Sequence, residues 1–336
     1  MSWEHIKGHD ALIAGFRRVV QRRRLAHAYL FVGPEGVGKK LFAIELARAL
    51  LCESPRDQCV ACGECSSCAL VDADTHPDLT IARRPEEKHE FPVELMRSLL
   101  LNLALKPARG KGRVVIVDGA DDFNEESSNA FLKTLEEPPL GSLLILVGFS
   151  PERQLATIVS RCQVVRFGPL PDTMVRSILQ TSEVEPPLIE RLVRLAAGSP
   201  GRAMQWSDPS LWVFRANFLV GLLKKPTDLP ELSKAWMGFV EEAGKESAPQ
   251  RQRANAVLGL VIDVLADALR IGQGSHVRRT GPEDDATVEA LANRFDGERL
   301  MGLIERAMEA EEQIERRAQL VLALEAFLDA AVQRMS

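Results

Sequence analysis

Residues 33–40 read GPEGVGKK, preceded by the apolar run AHAYLFVG (26–33) and followed by KKLFAIELARALLC (39–52), whose apolar residues recur at helical spacing. Strand, glycine-rich turn, helix is the setting in which G-x-x-x-x-G-K-[ST] cradles phosphate. Backbone N–H groups and the positive helix end face the anion, and a lysine reaches the outer oxygens. Gly33, Gly36, Gly38 and Lys39 meet those demands. The last position calls for a Ser or Thr hydroxyl to hold Mg²⁺, and here it is Lys40. An ammonium has no lone pair to offer a dication. The same residues also fit a tight strand-to-helix turn without nucleotide, so the loop by itself does not establish ATP binding.

The segments around the loop extend this start into an α/β domain. RVVIVDGAD (113–121), SLLILVGF (142–149) and QVVRFGPL (163–170) read as buried strands. VELMRSLLLNLAL (93–105) and NEESSNAFLKTLEEPP (124–139) read as helices, the second closed by its two prolines. Strands alternating with helices predict a parallel sheet. In the acid-ended strand, Asp118 stands where a phosphate-loop protein holds its Mg²⁺. The next position, which needs a base to polarise water, is Gly119. Asp121 and Asp122 lie too far along to substitute. With the metal hydroxyl and the base both missing, hydrolysis is not expected.

From Pro171 the pattern becomes helical. DTMVRSILQTS and LIERLVRLAAG lead to GSPGRAM (198–204), which predicts a small helical domain. Residues 210–336 carry only helical periodicity, including one long pattern from Ala286 onward, interrupted by the polar, Gly-rich GQGSHVRRTGPEDD (272–285), expected to be a loop. The expected division is therefore a phosphate-loop core over 1–170, a small helical domain over 171–207 and an all-α domain over 208–336.

Composition narrows the function classes. A net charge of −5 over 336 residues argues against a strongly basic chain that grips nucleic acid alone. MSWEHIKGHD (1–10) has no apolar leader pattern, and no run approaches the length of a membrane span, so a cytoplasmic protein without membrane contact is expected. Five of the six cysteines crowd between Cys52 and Cys68. In a reducing compartment that density points to metal rather than disulfides. Tetrahedral Zn²⁺ takes four thiolates, and five compete for the places. Four from residues 59–68 would crowd one short loop, so Cys52, Cys62, Cys65 and Cys68 are preferred, with Cys59 the alternate. The insertion at 52–68 offers no open catalytic position, and it lacks the basic and aromatic residues of a nucleic-acid-binding ribbon. A structural zinc site is expected.

ATIVSRCQVV (156–165) places Ser160, Arg161 and Cys162 before a strand. An arginine there fits a surface ion pair. It also fits an arginine finger that neutralises phosphate charge in a neighbouring subunit's site. Spacing does not choose between them.

Together HAYLFVGPEGVGKK, the cysteine segment, THPDL (75–79), NAFLKTLEEPP (129–139), LATIVSRCQ (155–163) and GSPGRA resemble the clamp-loader AAA+ family of bacterial DNA polymerase III. The likeness is dense over residues 8–204 and weak beyond. It implies an AAA+ core with a zinc-binding insertion, a small helical lid domain and a helical collar that oligomerises. It implies a hetero-pentameric complex with gamma/tau ATPase subunits and a delta subunit, which opens a sliding clamp and places it on primed DNA at the replisome. By the matching motif Arg161 is the finger, acting in trans. The metal ligands implied are Cys52, Cys62, Cys65 and Cys68. The family usually has one residue fewer between the first two ligands, which keeps Cys52 and Cys59 both open.

An ATPase member of the family should carry Thr after the loop lysine, Glu after Asp118, and Arg directly after G-S-x in the lid. Lys40, Gly119 and Gly201 occupy those places, with Arg202 one position late. The resemblance therefore implies the non-hydrolysing type of subunit, with an active gamma/tau-type ATPase as the alternative.

Overall fold

The apolar segment before the phosphate loop forms an inner strand of a parallel sheet, and the segment after it a helix, in the computed structural model, which describes residues 3–56, 59–85, 88, 90–224, 228–275 and 279–335. The chain divides into two compact units, Met1–Ile178 with Gly198–Gly201, and Leu179–Ala197 with Arg202–Ser336.

The first unit runs α1 (Asp10–Gln21), β1 (Ala28–Val32), α2 (Lys39–Leu51), α3 (Ser66–Asp72), β2 (Leu79–Arg83), α4 (Val93–Ala104), β3 (Arg113–Asp118), α5 (Glu125–Glu136), β4 (Ser142–Gly148), the single turn α6 (Ala156–Val159), β5 (Gln163–Arg166) and α7 (Asp172–Gln180). The strands lie in the order β2-β3-β4-β1-β5, every pairing parallel. This is the α/β architecture expected from the alternation of strands and helices. β1 is buried along its whole length, as is β4 beyond its first residue, which is why both read as unbroken apolar runs rather than alternating ones. Each large side chain among Leu144, Ile145 and Leu146 contributes about 1.5–3 kcal/mol by leaving water.

Register sets the site. Val32 pairs with Gly148 and Arg166, Asp118 with Val147, and Arg83 with Asp118. The carboxyl ends of four strands thus bring Gly33, Arg83, Asp118 and Phe149 to one edge, where open α/β sheets bind ligands. Behind it, Trp3, Phe16, Tyr29, Phe31, Phe42 and Phe167 form a ring-to-ring cluster that holds α1 and α2 on the sheet.

The second unit is helical: α8 (Pro186–Leu195), the later residues of α9 (Pro200–Gln205), α10 (Pro209–Leu223), α11 (Leu229–Glu241), α12 (Ser247–Gly272), α13 (Asp285–Arg294), α14 (Gly297–Glu315) and α15 (Leu320–Met335). α12 packs on α10, α11, α13 and α14, and twelve of its residues are buried. The single periodic pattern expected from Ala286 onward is three helices. The first break is capped by Asp296, whose carboxylate accepts from the Arg299 amide, and the second carries Arg317 at a φ of 63°.

Of the loop expected over 272–285, residues 276–278 lie outside the described residues. Its far side is bonded down. Thr280 and Asp284 are buried, Asp267 accepts from both the Arg279 and Thr280 amides, and Asp284 holds Arg191. No helix among the described residues is long and apolar enough to cross a membrane.

Candidate functional site

Gly33, Gly36 and Gly38 all take positive φ, at 148°, 71° and 100°. Gly33 allows nothing larger: a Cβ there would stand 2.2 Å from the Phe167 carbonyl oxygen. The loop therefore has the turn that its glycines predict. Its lysine is not extended toward a phosphate. Lys39 is buried, and its Nζ donates to the carbonyls of Gly33 at 2.6 Å and Pro34 at 2.7 Å. Burial lowers its pKa, while Glu35, Asp121 and Asp118 pull it back up.

Lys40 turns the other way, to Asp118 on β3, with Nζ 3.0 Å from Oδ2. Arg83, at the end of the neighbouring strand, lies 3.4 Å from the same oxygen. Burial raises the Asp118 pKa, and the Arg83 and Lys39 charges oppose that rise.

Gly119 follows with φ 93° and caps a short 3₁₀ turn over Ala120–Asp122. A Cβ at this position would lie 3.1 Å from the Asp122 carboxylate, so the base position is held in a backbone region that side chains avoid. The acids further on are engaged elsewhere. Asp121 accepts from the Phe149 amide at 2.6 Å and from Gln154 Nε2 at 3.1 Å. Asp122 accepts from Arg84 Nε at 2.8 Å.

The cysteine segment folds back on the end of α2. Cys52 ends that helix, and Cys65 caps α3. The sulfurs of Cys52, Cys62, Cys65 and Cys68 all lie within 4.8 Å of one another, with separations of 3.5 Å (Cys52–Cys62), 3.8 Å (Cys52–Cys65) and 3.9 Å (Cys62–Cys68). A Zn–S bond of about 2.3 Å gives a tetrahedral edge of about 3.8 Å, so the four thiols fit one zinc ion.

The backbone supports thiolate at this cluster. The Glu64 and Cys65 amides donate to Cys62, and the Cys68 amide to Cys65. Burial opposes ionisation of Cys65, yet hydrogen bonds from the Cys68 and Glu53 amides and from the Cys68 and Cys62 thiols bring it down to about 6. Cys59 stands apart from the four. It is buried at a φ of 72°, its carbonyl accepts from Trp3 Nε1 at 2.7 Å, and burial pushes its thiol up to about 12.

Arg161 sits just past the α6 turn, partly exposed. Its Nη2 lies 2.5 Å from Glu136 Oε1 at the end of α5, and its Nη1 donates to the Thr157 carbonyl at 3.0 Å. Cys162, next to it, is buried beneath the turn.

A family model described as DNA polymerase III, delta subunit, matches residues 8–171. The DNA polymerase III subunit delta' of Pseudomonas aeruginosa is 35% identical over 221 residues, which span 64% of this chain and 67% of that relative. The delta' subunit of Escherichia coli is 31% identical over 307 residues, 91% of this chain and 86% of its own length. The tau subunit of Escherichia coli is 32% identical over 212 residues, but these make up only 32% of tau. The chain belongs to the delta-prime family of DNA polymerase III subunits.

Within this delta-prime chain the segment after α8 closes on the loop. Ser199 Oγ donates to the Glu35 carbonyl at 2.7 Å, and the Gly201 amide donates to the Gly36 carbonyl at 2.9 Å. A Cβ on Gly201 would stand 2.6 Å from the Gly36 Cα. The position where an ATPase relative is expected to carry arginine is therefore one that backbone contact reserves for glycine. Arg202 belongs to the helical unit, where it stacks on Trp206 with 4.4 Å between guanidinium and ring and lies 3.8 Å from Asp263.

The sequence reading missed how THPDL works. His76 is hydrogen-bonded to Ser67 on α3 at 3.2 Å, and its Nδ1 accepts from the Asp78 amide at 3.0 Å. The Asp78 carboxylate is buried and accepts from the Ala108 and Arg109 amides at 2.7 and 2.8 Å. Glu53, beside Cys52, accepts from Ser66 Oγ at 2.9 Å and pairs with Arg109. These residues fasten the cysteine module to the sheet. The signal available in sequence was a Thr-His-Pro-Asp between helix and strand, in which Thr and Asp are types that bond backbone readily.

Proposed function

We propose that this chain serves as a clamp-loader subunit of DNA polymerase III that does not hydrolyse ATP itself. Its AAA+ core keeps the shape of a phosphate loop and lends Arg161 to the ATP site of a neighbouring gamma/tau-type subunit. The observation that carries the reading is Gly119: the base position has no side chain and a positive φ that disfavours acquiring one. Membership of the delta-prime family supports a place in a hetero-pentamer with gamma/tau and delta subunits that acts on a sliding clamp and primed DNA in the cytoplasm. Residues 171–207 then serve as the lid and 208–336 as the collar that oligomerises.

Zn²⁺ on Cys52, Cys62, Cys65 and Cys68 is structural in this reading. It ties the end of α2 to α3, and Glu53, His76 and Asp78 continue that tie to β2 and the loop before β3.

Two measurements test the function. The isolated chain should show no ATP turnover. The complex reconstituted with gamma/tau and delta subunits should lose ATPase when Arg161→Ala replaces the wild-type chain. Turnover by the isolated chain that disappears in Lys39→Ala would instead establish an active gamma/tau-type ATPase.

A further inference from the structure

Lys39 and Lys40 occupy the first turn of α2, where the helix dipole already presents positive charge and no acidic residue is placed to offset it. Two cations there are unfavourable unless something else compensates them. Lys39 is met by two backbone carbonyls, at 2.6 and 2.7 Å. Lys40 is met by Asp118 at 3.0 Å, and Arg83 approaches the same oxygen at 3.4 Å. The register that pairs Arg83 with Asp118 fixes this arrangement in the sheet.

In a metal-dependent phosphate loop, the residue after the lysine and the strand aspartate hold the Mg²⁺ between them. Here these two side chains hold each other. A dication drawn to Asp118 would come within ion-pair distance of two cations, Lys40 and Arg83, and Lys40 has no lone pair to ligate it. The donor set does not fit Mg²⁺.

We propose that the Lys40 ammonium is a tethered replacement for the divalent ion. It fastens α2 to β3 through Asp118, so the loop and the acid strand hold one arrangement without metal. This deepens the non-hydrolysing reading. It rests on that reading, and its test, melting of the chain without nucleotide, reads a different property from turnover, so failure of either is distinguishable from failure of the other.

The experiment is thermal melting of the full chain with and without millimolar Mg²⁺. Wild type should melt at the same temperature in both. Lys40→Met leaves Asp118 short of a partner and should lower the first transition by about 2–4 °C. Adding Asp118→Asn to it should cost less than the two single changes together, which is the signature of direct coupling. Lys40→Arg keeps the charge and should stay near wild type even if Lys40→Met folds poorly. Lys40→Thr restores the hydroxyl and should melt higher with Mg²⁺ than without. Additive single effects, a wild-type rise in Mg²⁺ equal to that of Lys40→Thr, or no Mg²⁺ response in Lys40→Thr would each overturn the replacement.

Discussion

Arg161 and Glu136 face each other across 2.5 Å, one from the turn after α6 and the other from the last residue of α5. The arginine is 34% exposed and the glutamate 53%, so the pair is open to solvent and contributes at most about 1 kcal/mol to stability. The ion pair and the finger, which the sequence left as alternatives, are therefore compatible in one residue. A guanidinium held this lightly can exchange a carboxylate for a phosphate at small cost.

Arg161→Ala should accordingly change the folding stability of the isolated chain by no more than about 0.5–1 kcal/mol. At the single ATP site that Arg161 is proposed to serve in a reconstituted complex, loss of a finger should slow hydrolysis on the order of 10³-fold. Steady-state ATPase of complexes assembled with wild-type or variant chain, normalised to the amount of complex, reads the effect. Unchanged ATPase would return Arg161 to the role of a surface ion pair.

Cysteine variants separate the two proposals for the fourth metal ligand. Cys52→Ser should abolish stoichiometric zinc and lower the melting temperature, because in the proposed site the metal would join α2 to α3. Cys59→Ser should retain about one zinc per chain, since that sulfur is buried away from the cluster. Elemental analysis of both variants decides the matter, and zinc loss in Cys59→Ser alone would reverse the assignment.

The features that were legible in sequence are the ones made by neighbours along the chain. The phosphate turn, the buried runs at β1, β3 and β4, and the prolines that close α5 depend on local spacing. β2 was harder to read. Leu79–Arg83 is a short strand at the sheet edge with an irregular burial pattern, so neither alternation nor a continuous apolar run marks it. α1 escaped notice because only Ile13 and Phe16 of its twelve residues are buried. The Lys40–Asp118 pair and the His76–Ser67 and Asp78–Arg109 contacts were invisible for another reason. Their members are far apart in the chain or point in directions only the sheet register sets. A lysine in place of a threonine could be read as a loss from sequence, but its partner could not.

Backbone contact makes the missing parts hard to restore singly. Gly201→Ala puts a methyl 2.6 Å from the Gly36 Cα, an approach that backbone must move to relieve. It should destabilise the first unit by about 1–3 kcal/mol, in the range of an overpacked core site, as urea denaturation would report. Gly119→Glu should likewise produce no ATPase, because a side chain at a φ of 93° is strained and approaches Asp122. Turnover in that single variant would mean the base alone had been lacking.

The helical unit carries a titration that can be isolated by difference. Asp263 on α12 is 5% exposed, and its Oδ2 has no hydrogen-bond partner. Burial raises its pKa to about 6, against the opposing charges of Arg202, Arg279 and Arg270 and with a further push from Asp267. An unfolded aspartate titrates near 3.9. Between about pH 4 and pH 6 the native chain therefore binds more protons at this residue than the unfolded chain does. Stability from Asp263 is present below that window and is lost as pH rises through it. A rise from near 3.9 to about 6 is worth at most about 3 kcal/mol. Asp263→Asn cannot titrate, so it should gain stability relative to wild type on going from pH 4.5 to pH 7, by up to about 2 kcal/mol. Paired urea denaturations at the two pH values cancel the other carboxylates and the cysteine cluster. A constant difference between the two proteins, or one that grows in wild type's favour as pH rises, would show that Asp263 is ionised throughout and held by its arginines.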